Sequence, residues 1–206
     1  MLTECICLFL PYFYLMKGRQ KMSEQTLIDN CSPTMAGLKT GNLFSCFFES
    51  KKELMSSIRR LNLRLVPRGI RMIPIKIENG RALIYVYRPD RLTSDLNDST
   101  AKAILKSRLY PSADAQSCVA ELVRRVKTEK SFPHEIGLFL GYPSFDVDGF
   151  IKNKAKGAKC VGTWKVYGDE EEAKKKFALY KKCTRVYKQA YKKHNSFDRL
   201  LVSSSK

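Results

Sequence analysis

The sequence predicts an α+β fold, a single domain in which helices flank a central, mostly antiparallel sheet of about five strands. Three observations predict it. Asn79-Gly80 separates two apolar segments and suits the positive φ angles of a two-residue hairpin turn. Segments with helical periodicity and capping residues lie on both sides of this turn. At 206 residues, 44% of them hydrophobic, the chain can bury a core of its own.

The first 21 residues differ in composition from the rest. Cys5 to Met16 is a twelve-residue apolar run, which is shorter than the ~20 residues that cross a bilayer. An acid precedes this run and bases follow it, the reverse of a secretory signal. We therefore expect Met22 to be the natural start and residues 1–21 to be translated upstream sequence. The alternative is a short membrane-surface anchor whose bases face lipid headgroups.

Before the hairpin, the sequence predicts a helical turn, a strand and a helix. Leu27 to Cys31 has helical spacing, and Pro33 is expected to end it. Asn42 to Phe48 is apolar and aromatic, which is typical of a strand. Ser50-Lys-Lys-Glu53 has the pattern of a capping box and begins a helix. The apolar face of that helix consists of Leu54, Ile58 and Leu61.

The hairpin is the best-defined element. Its predicted strands are Met72 to Ile77 and Arg81 to Tyr87, on either side of Asn79-Gly80. Pro74 has no backbone donor, so the first strand is expected at a sheet edge. The second strand is apolar on both faces and is therefore expected in the centre of the sheet.

The remaining segments supply helices, two strands and a tail. Helices are predicted at 91–106, 114–127, around 145–152, and at 170–193, the last being long and Lys-rich. Apolar or alternating runs predict strands at Glu135–Leu140 and Cys160–Tyr167. Asp169 is a favourable N-cap for the last helix, whose acids precede its bases as the helix dipole favours. Residues 22–196 are expected to form the domain, and residues 197–206 a flexible polar tail.

The charge of the chain is strongly positive and unevenly distributed. The formal net charge is +18, and residues 152–193 contain 14 Lys or Arg against four acids, a net +10. One interpretation is a solvated helix face. The other is a binding surface for nucleic acid or another polyanion. Weak non-specific binding to nucleic acid at low salt is expected in either case.

The seven cysteines are scattered along the chain without a C-x-x-C pair. This spacing does not match a zinc ribbon or a disulfide framework. It indicates reduced thiols, and a cytoplasmic protein is therefore expected.

Cys31, His134 and Glu135 are the candidate catalytic residues. An imidazole near a thiol stabilises the thiolate, which is the nucleophilic form. Glu135 could orient the imidazole, but neighbours on a strand point to opposite faces, which weakens a triad. The alternative is a histidine bonded to backbone and a cysteine that fills apolar space.

Two further sites are considered. Thiolate and imidazole ligands from Cys31, His134, Cys160 and Cys183 would suit zinc or iron, although nothing in their spacing requires a metal. Five polar residues near predicted strand ends or turns are candidates for binding a ligand: Lys39, Asn42, Arg88, Tyr142 and Lys165. The alternative is that each is an ordinary turn or strand-end residue.

Five blocks of the sequence resemble a bacterial family catalogued only as a domain of unknown function. They are Cys31–Phe44, Leu83–Pro89, Phe132–Pro143, Asp148–Ile151 and Gly162–Tyr167. The resemblance covers nearly all of residues 25–195, and Cys183 lies where the family tends to have a cysteine. It supports Met22 as the start, and it implies no catalytic residue because the family has no established activity.

Three functions therefore follow as hypotheses. The first is a cytoplasmic ligand-binding or thiol-dependent, enzyme-like protein with a pocket near Cys31 and His134. The second is a non-enzymatic polyanion-binding protein that uses the Lys-rich surface of residues 152–193. A membrane-peripheral protein is the third, if residues 1–21 belong to it. The sequence names no cofactor, no specific ligand and no oligomeric state.

Overall fold

The computed structural model describes residues 20–111, 114–129 and 131–203. Nearly all of the predicted upstream segment 1–21 therefore lies outside the described residues. The chain divides into two compact units. The sheet unit comprises the described residues of 18–91 and 179–206, and the helical unit those of 92–178. The single-domain boundary of 22–196 stays a prediction.

The sheet unit contains a three-stranded antiparallel sheet. Its strands are β1 (Gly41–Phe47), β2 (Arg71–Glu78) and β3 (Arg81–Tyr87), in the order β1-β3-β2. The predicted hairpin is confirmed: Asn79 and Gly80 have φ angles of 49° and 72°, as its turn requires. β3 is central and largely buried. β2 is at the edge, and its register shifts after Pro74, which cannot donate to the ladder.

Two helices cover this sheet unit's core. α1 (Glu24–Met35) begins at the N-cap Ser23 and continues through Pro33, so the predicted end of this helix was too early. α2 (Lys51–Leu65) begins at the predicted cap, where Ser50 Oγ accepts a hydrogen bond from the Glu53 amide. Its buried residues are the three of the predicted face, Leu54, Ile58 and Leu61, together with Leu65.

The core of the sheet unit also takes in the C-terminal segment. Phe197 and Leu201 are buried in the same apolar cluster as α1, α2 and the sheet. The Val202 amide donates to the Met35 carbonyl at 3.3 Å. The sequence prediction of a flexible tail from residue 197 overlooked these apolar residues, whose burial orders the segment up to residue 203.

The helical unit consists of short helices and one small hairpin. Its elements are α3 (Pro89–Leu96), which begins at the unit boundary, α4 (Ser99–Ser107), α5 (Ala115–Thr128), α6 (Ile136–Phe139), α7 (Ser144–Lys152), β4 (Cys160–Val161) and β5 (Lys165–Val166). β4 and β5 pair antiparallel as a separate two-stranded sheet. The α+β class is confirmed, but the central sheet has three strands rather than about five.

Two strand predictions in this unit were wrong. Glu135–Leu140 contains the helical turn α6. The prediction failed because an apolar run of this length is equally compatible with a strand and with a buried helix. Cys160–Tyr167 is broken into β4 and β5 by the turn between them, so it is not one continuous strand.

The last helix, α8 (Glu170–His194), agrees with its prediction. The Glu172 amide donates to Asp169 Oδ1 at 2.9 Å, which confirms the cap. Residues up to 178 belong to the helical unit and those from 179 onward to the sheet unit. Within the described residues, neither α8 nor any other helix combines the length and apolar character needed to span a membrane.

Candidate functional site

A recess in the helical unit brings together three residues selected from the sequence. His134, Tyr142 and Lys165 all line it. The recess is shallow, and the empty space in it amounts to about 290 Å³ when the open solvent at its mouth is counted. The rest of its wall consists of Gly137, Asp146, Val147, Phe150 and Trp164.

The turn between α6 and α7 builds one wall of the recess. The Tyr142 amide donates to the Gly137 carbonyl at 3.0 Å, which folds the chain back on α6. A Cβ atom on Gly137 would lie 2.8 Å from Val147 Cγ2 and 3.2 Å from Tyr142 Cδ2. Glycine is therefore required for Tyr142 and α7 to approach α6 so closely.

Asp146 on α7 links the wall of the recess to β5. Its buried carboxylate accepts hydrogen bonds from Trp164 Nε1 at 2.7 Å and from the amides of Tyr167 at 2.8 Å and Gly168 at 2.7 Å. Three donors compensate for the burial of this charge. The same bonds fix Trp164 and the end of β5 relative to α7.

Trp164 and Tyr142 form an aromatic pair in the lining of the recess. Their rings are stacked, with centroids 5.0 Å apart and planes at 28°. The edge of a third ring, Phe177, packs against Trp164 at 4.5 Å. Such contacts hold the indole rigidly, so the recess presents a preformed aromatic surface.

His134 and Lys165 supply the polar groups of the recess. The imidazole of His134 packs edge-on against Phe150, with centroids 5.2 Å apart. Burial lowers the pKa of His134, and the Glu135 charge acts in the opposite direction. The uncharged imidazole therefore dominates at neutral pH, with one donor and one acceptor. Lys165 Nζ donates to the Ala155 carbonyl at 2.6 Å.

Glu135 takes part in a different cluster. It is buried, it accepts a hydrogen bond from Tyr110 Oη at 3.0 Å, and it lies 3.7 Å from Arg125 Nη1. The Arg125 guanidinium also lies over the Tyr110 ring, 4.5 Å from its centroid. Glu135 is not among the residues that line the recess. Its contacts point to a structural role in joining α5 to α6.

The comparison with family models decides the family. The model described as "Protein of unknown function (DUF3793)" matches residues 27–201. The chain belongs to this family. Neither the comparison with curated proteins nor that with solved structures found a match. The resemblance inferred from the sequence blocks is thereby confirmed.

The DUF3793 match spans every candidate residue, from Cys31 to Cys183, but the family description assigns no activity. Cys31, Lys39, Asn42 and Arg88 lie in the sheet unit, whereas His134, Tyr142 and Lys165 lie in the helical unit.

In this DUF3793 protein, Cys31 and Lys39 are both buried in the sheet unit. Burial raises the pKa of the Cys31 thiol, and the Lys39 charge offsets part of that rise. Burial lowers the pKa of Lys39 to about 7. A buried thiol with a raised pKa carries little thiolate, so this environment argues against Cys31 as a nucleophile.

Asn42 and Arg88 form hydrogen bonds with residues at the C-terminal end of α1. Thr34 Oγ1 donates to Asn42 Oδ1 at 2.7 Å. Arg88 Nε donates to the Thr34 carbonyl at 2.6 Å, and Nη2 donates to the carbonyls of Met35 and Val202 at 2.7 Å each. These bonds satisfy buried carbonyls at the helix terminus, which is a structural role.

Metal binding finds no geometric support in the described residues. Among them, no group of three or more His, Cys, Asp or Glu side chains is arranged to hold an ion. This search included all four residues of the proposed zinc or iron site: Cys31, His134, Cys160 and Cys183.

The sequence did not single out Asp146, Phe150, Gly137 or Trp164 as site residues. No local pattern links Asp146 to Trp164, because they are 18 residues apart and meet only when α7 and β5 pack together. A single polar residue in the first turn of a short helix carries no such signal.

Proposed function

We propose that this protein binds a small, flat organic anion in the recess of the helical unit. The observation that carries the proposal is the combination, in one recess, of the stacked Tyr142–Trp164 pair with the imidazole of His134 and the ammonium of Lys165. Aromatic faces favour a planar π-electron ligand. A cation beside them favours a ligand that carries a carboxylate or phosphate.

The polar groups of the recess differ in the hydrogen bonds that they can offer to a ligand. Lys165 uses one of its three donors on the Ala155 carbonyl, which leaves two for an anionic group. His134 can donate to or accept from a ring substituent. Asp146 is already engaged by three donors, so it offers little to a cationic ligand.

The composition of the wall favours binding over catalysis by a hydroxyl or thiol nucleophile of the Ser, Thr or Cys type. The eight residues that line the recess include no serine, threonine or cysteine. The thiol-dependent alternative would require Cys31, whose burial and raised pKa disfavour the thiolate. A reducing cytoplasmic setting remains part of the proposal, supported by the scattered cysteines of the sequence.

Trp164 provides the test, because it is the single tryptophan of the chain and it lies in the recess wall. Its fluorescence would be titrated with three matched compounds: benzoate, benzyl alcohol and benzylamine. We expect a saturable change with benzoate and weaker or undetectable binding of the neutral and cationic analogues. Isothermal titration calorimetry would confirm the order.

Matched lysine variants separate the recess from general charge. Lys165→Met should weaken benzoate binding ~10-fold or more, as loss of a charged partner does. Lys156→Met removes an exposed lysine of the same unit and should leave the affinity unchanged. Equal affinities for the three compounds, or equal effects of the two variants, would refute the proposal.

A second candidate function, polyanion binding, is favoured by a specific observation on α8. From residue 179 to its end this helix contains six Lys or Arg and no acid. The hypothesis of a membrane-peripheral protein depends on residues 1–21 and receives no support from the described residues.

A further inference from the structure

In the part of α8 that belongs to the sheet unit, residues 179–194, charged side chains and packed side chains lie on different sides of the helix. Its buried side contains Cys183, and Tyr187 and Tyr191 pack against the core of this unit. Its exposed side contains six cations: Lys181, Lys182, Arg185, Lys188, Lys192 and Lys193. We call these six side chains the α8 basic face.

Most of the basic face has no anionic partner among the described residues. Lys188 pairs with Asp29 at 3.0 Å. The other five cations form no ion pair with any described residue. Like charges three or four residues apart destabilise a helix, so the fold itself gains nothing from this arrangement. The five charges lie along ~18 Å of helix axis, given a rise of 1.5 Å per residue.

We infer that the α8 basic face binds the phosphate backbone of double-stranded DNA. This inference rests on polyanion binding, the second candidate function, and names its partner. Duplex DNA carries about one negative charge per 1.7 Å of its axis, so cations spread along the exposed side of a helix meet several phosphates at once. Lysines dominate the face and act as point charges, so binding is independent of base sequence.

The distribution of apolar residues disfavours the other polyanionic partners. Proteins that bind single strands stack bases on exposed aromatic rings. In this segment Tyr187 and Tyr191 are on the packed side instead. Helices that bind membrane surfaces insert a broad apolar face. In this segment the exposed large apolar residues are Leu179 and Val186, with exposed fractions of 44% and 47%. Both lie among cations, so they do not form a broad apolar face.

The test measures DNA affinity by fluorescence anisotropy with a labelled 25-base-pair duplex and the full-length protein. Neutralising five phosphates predicts a slope of about −4.5 in log affinity against log salt, or a ~500-fold loss between 50 and 200 mM. K181Q/K182Q/K192Q/K193Q should reduce the slope to about −1. K51Q/K52Q/R59Q/R60Q removes the same charge from exposed positions of α2 and should retain the native slope.

Each alternative outcome has a defined meaning. If both quadruple variants lose affinity equally, net charge explains the binding and the inference fails. Tighter binding to heparin, anionic vesicles, duplex RNA or single-stranded DNA than to duplex DNA would refute the DNA assignment but leave polyanion binding intact. No binding of any probe at 150 mM salt would refute both. Circular dichroism checks folding, and K181Q/K182Q and K192Q/K193Q replace the quadruple variant if it does not fold.

Discussion

At the scale of single residues, burial determines which cysteine can react. Cys31, Cys46, Cys118 and Cys183 are buried, and burial raises the pKa of each thiol, to about 12 for Cys46. Cys160 is partly exposed. A nucleophilic Cys31, as hypothesised from the sequence, would be alkylated faster than the other thiols, whereas its burial favours the opposite order.

We therefore expect iodoacetamide at pH 8 to modify Cys160 faster than these four buried cysteines. The physical reason is that alkylation needs an accessible thiolate. A time course of peptide mass spectrometry would measure the five rates, with the urea-unfolded protein as the control in which they should converge. Faster modification of Cys31 than of Cys160 in the folded protein would contradict this prediction and support Cys31 as a nucleophile.

The lowered pKa of the buried Lys39 predicts that the stability of the protein depends on pH. Its pKa falls from an ordinary 10.5 to about 7 on folding. Between these values the unfolded chain binds a proton that the folded chain lacks, so the free energy of unfolding rises with pH, by at most ~1.4 kcal/mol per pH unit. Buried thiols such as Cys31 oppose this rise near pH 9, because they ionise more easily in the unfolded chain.

Urea unfolding at pH 7.0 and 8.5 would test this prediction. The free energy of unfolding of the native protein should rise by ~2 kcal/mol more than that of Lys39→Met, which lacks the titrating amine. Lys51→Met changes an exposed lysine of the same unit and should retain the native pH dependence. Identical pH profiles for the native protein and Lys39→Met would contradict a neutral buried amine.

At the scale of elements, Arg88 connects the end of β3 to α1 and to the C-terminal segment. We expect Arg88→Met to lower the free energy of unfolding by at least ~2 kcal/mol, because the carbonyls of Thr34, Met35 and Val202 each lose a charged donor. Urea unfolding measures the loss. Arg91→Met, at an exposed arginine with one bond to the Gly37 carbonyl, should cost less than ~1 kcal/mol. Similar losses in both variants would show that Arg88 is not such a link.

The elements also show which predictions depend on local chemistry. The Asn79-Gly80 hairpin and the Ser50 and Asp169 caps were predicted correctly, because neighbouring residues determine these structures. The strand predicted at Glu135–Leu140 was wrong. A short apolar run indicates that a segment is buried. It does not indicate whether the backbone hydrogen bonds of that segment form within a helix or between strands.

At the scale of the whole molecule, the net charge of +18 should destabilise the folded state through self-repulsion. We expect the melting temperature to rise by ~2–4 °C when sodium chloride increases from 10 to 200 mM, which corresponds to ~1 kcal/mol. Differential scanning calorimetry would measure it, with sucrose of equal osmolarity as the control. A fall in melting temperature would mean that screened ion pairs outweigh the repulsion.

The recess illustrates the limit of sequence reasoning at this scale. His134 and Tyr142 were selected as the flanks of one apolar run, and Lys165 as a strand-end cation. Their grouping with Trp164 depends on how α6, α7 and β5 pack together. Nothing in the sequence distinguishes these three candidates from Lys39 or Arg88, which the structure assigns to other surroundings.

The sequence alone determined the features that arise from neighbours along the chain: the hairpin turn, the helix caps, the basic C-terminal helix and the family. These depend on backbone preferences and charges over a few residues, which composition and spacing express directly. Only the tertiary structure decided which polar groups share a recess and which are buried. The recess is built by residues up to 31 positions apart, His134 to Lys165, whose proximity comes from packing between elements.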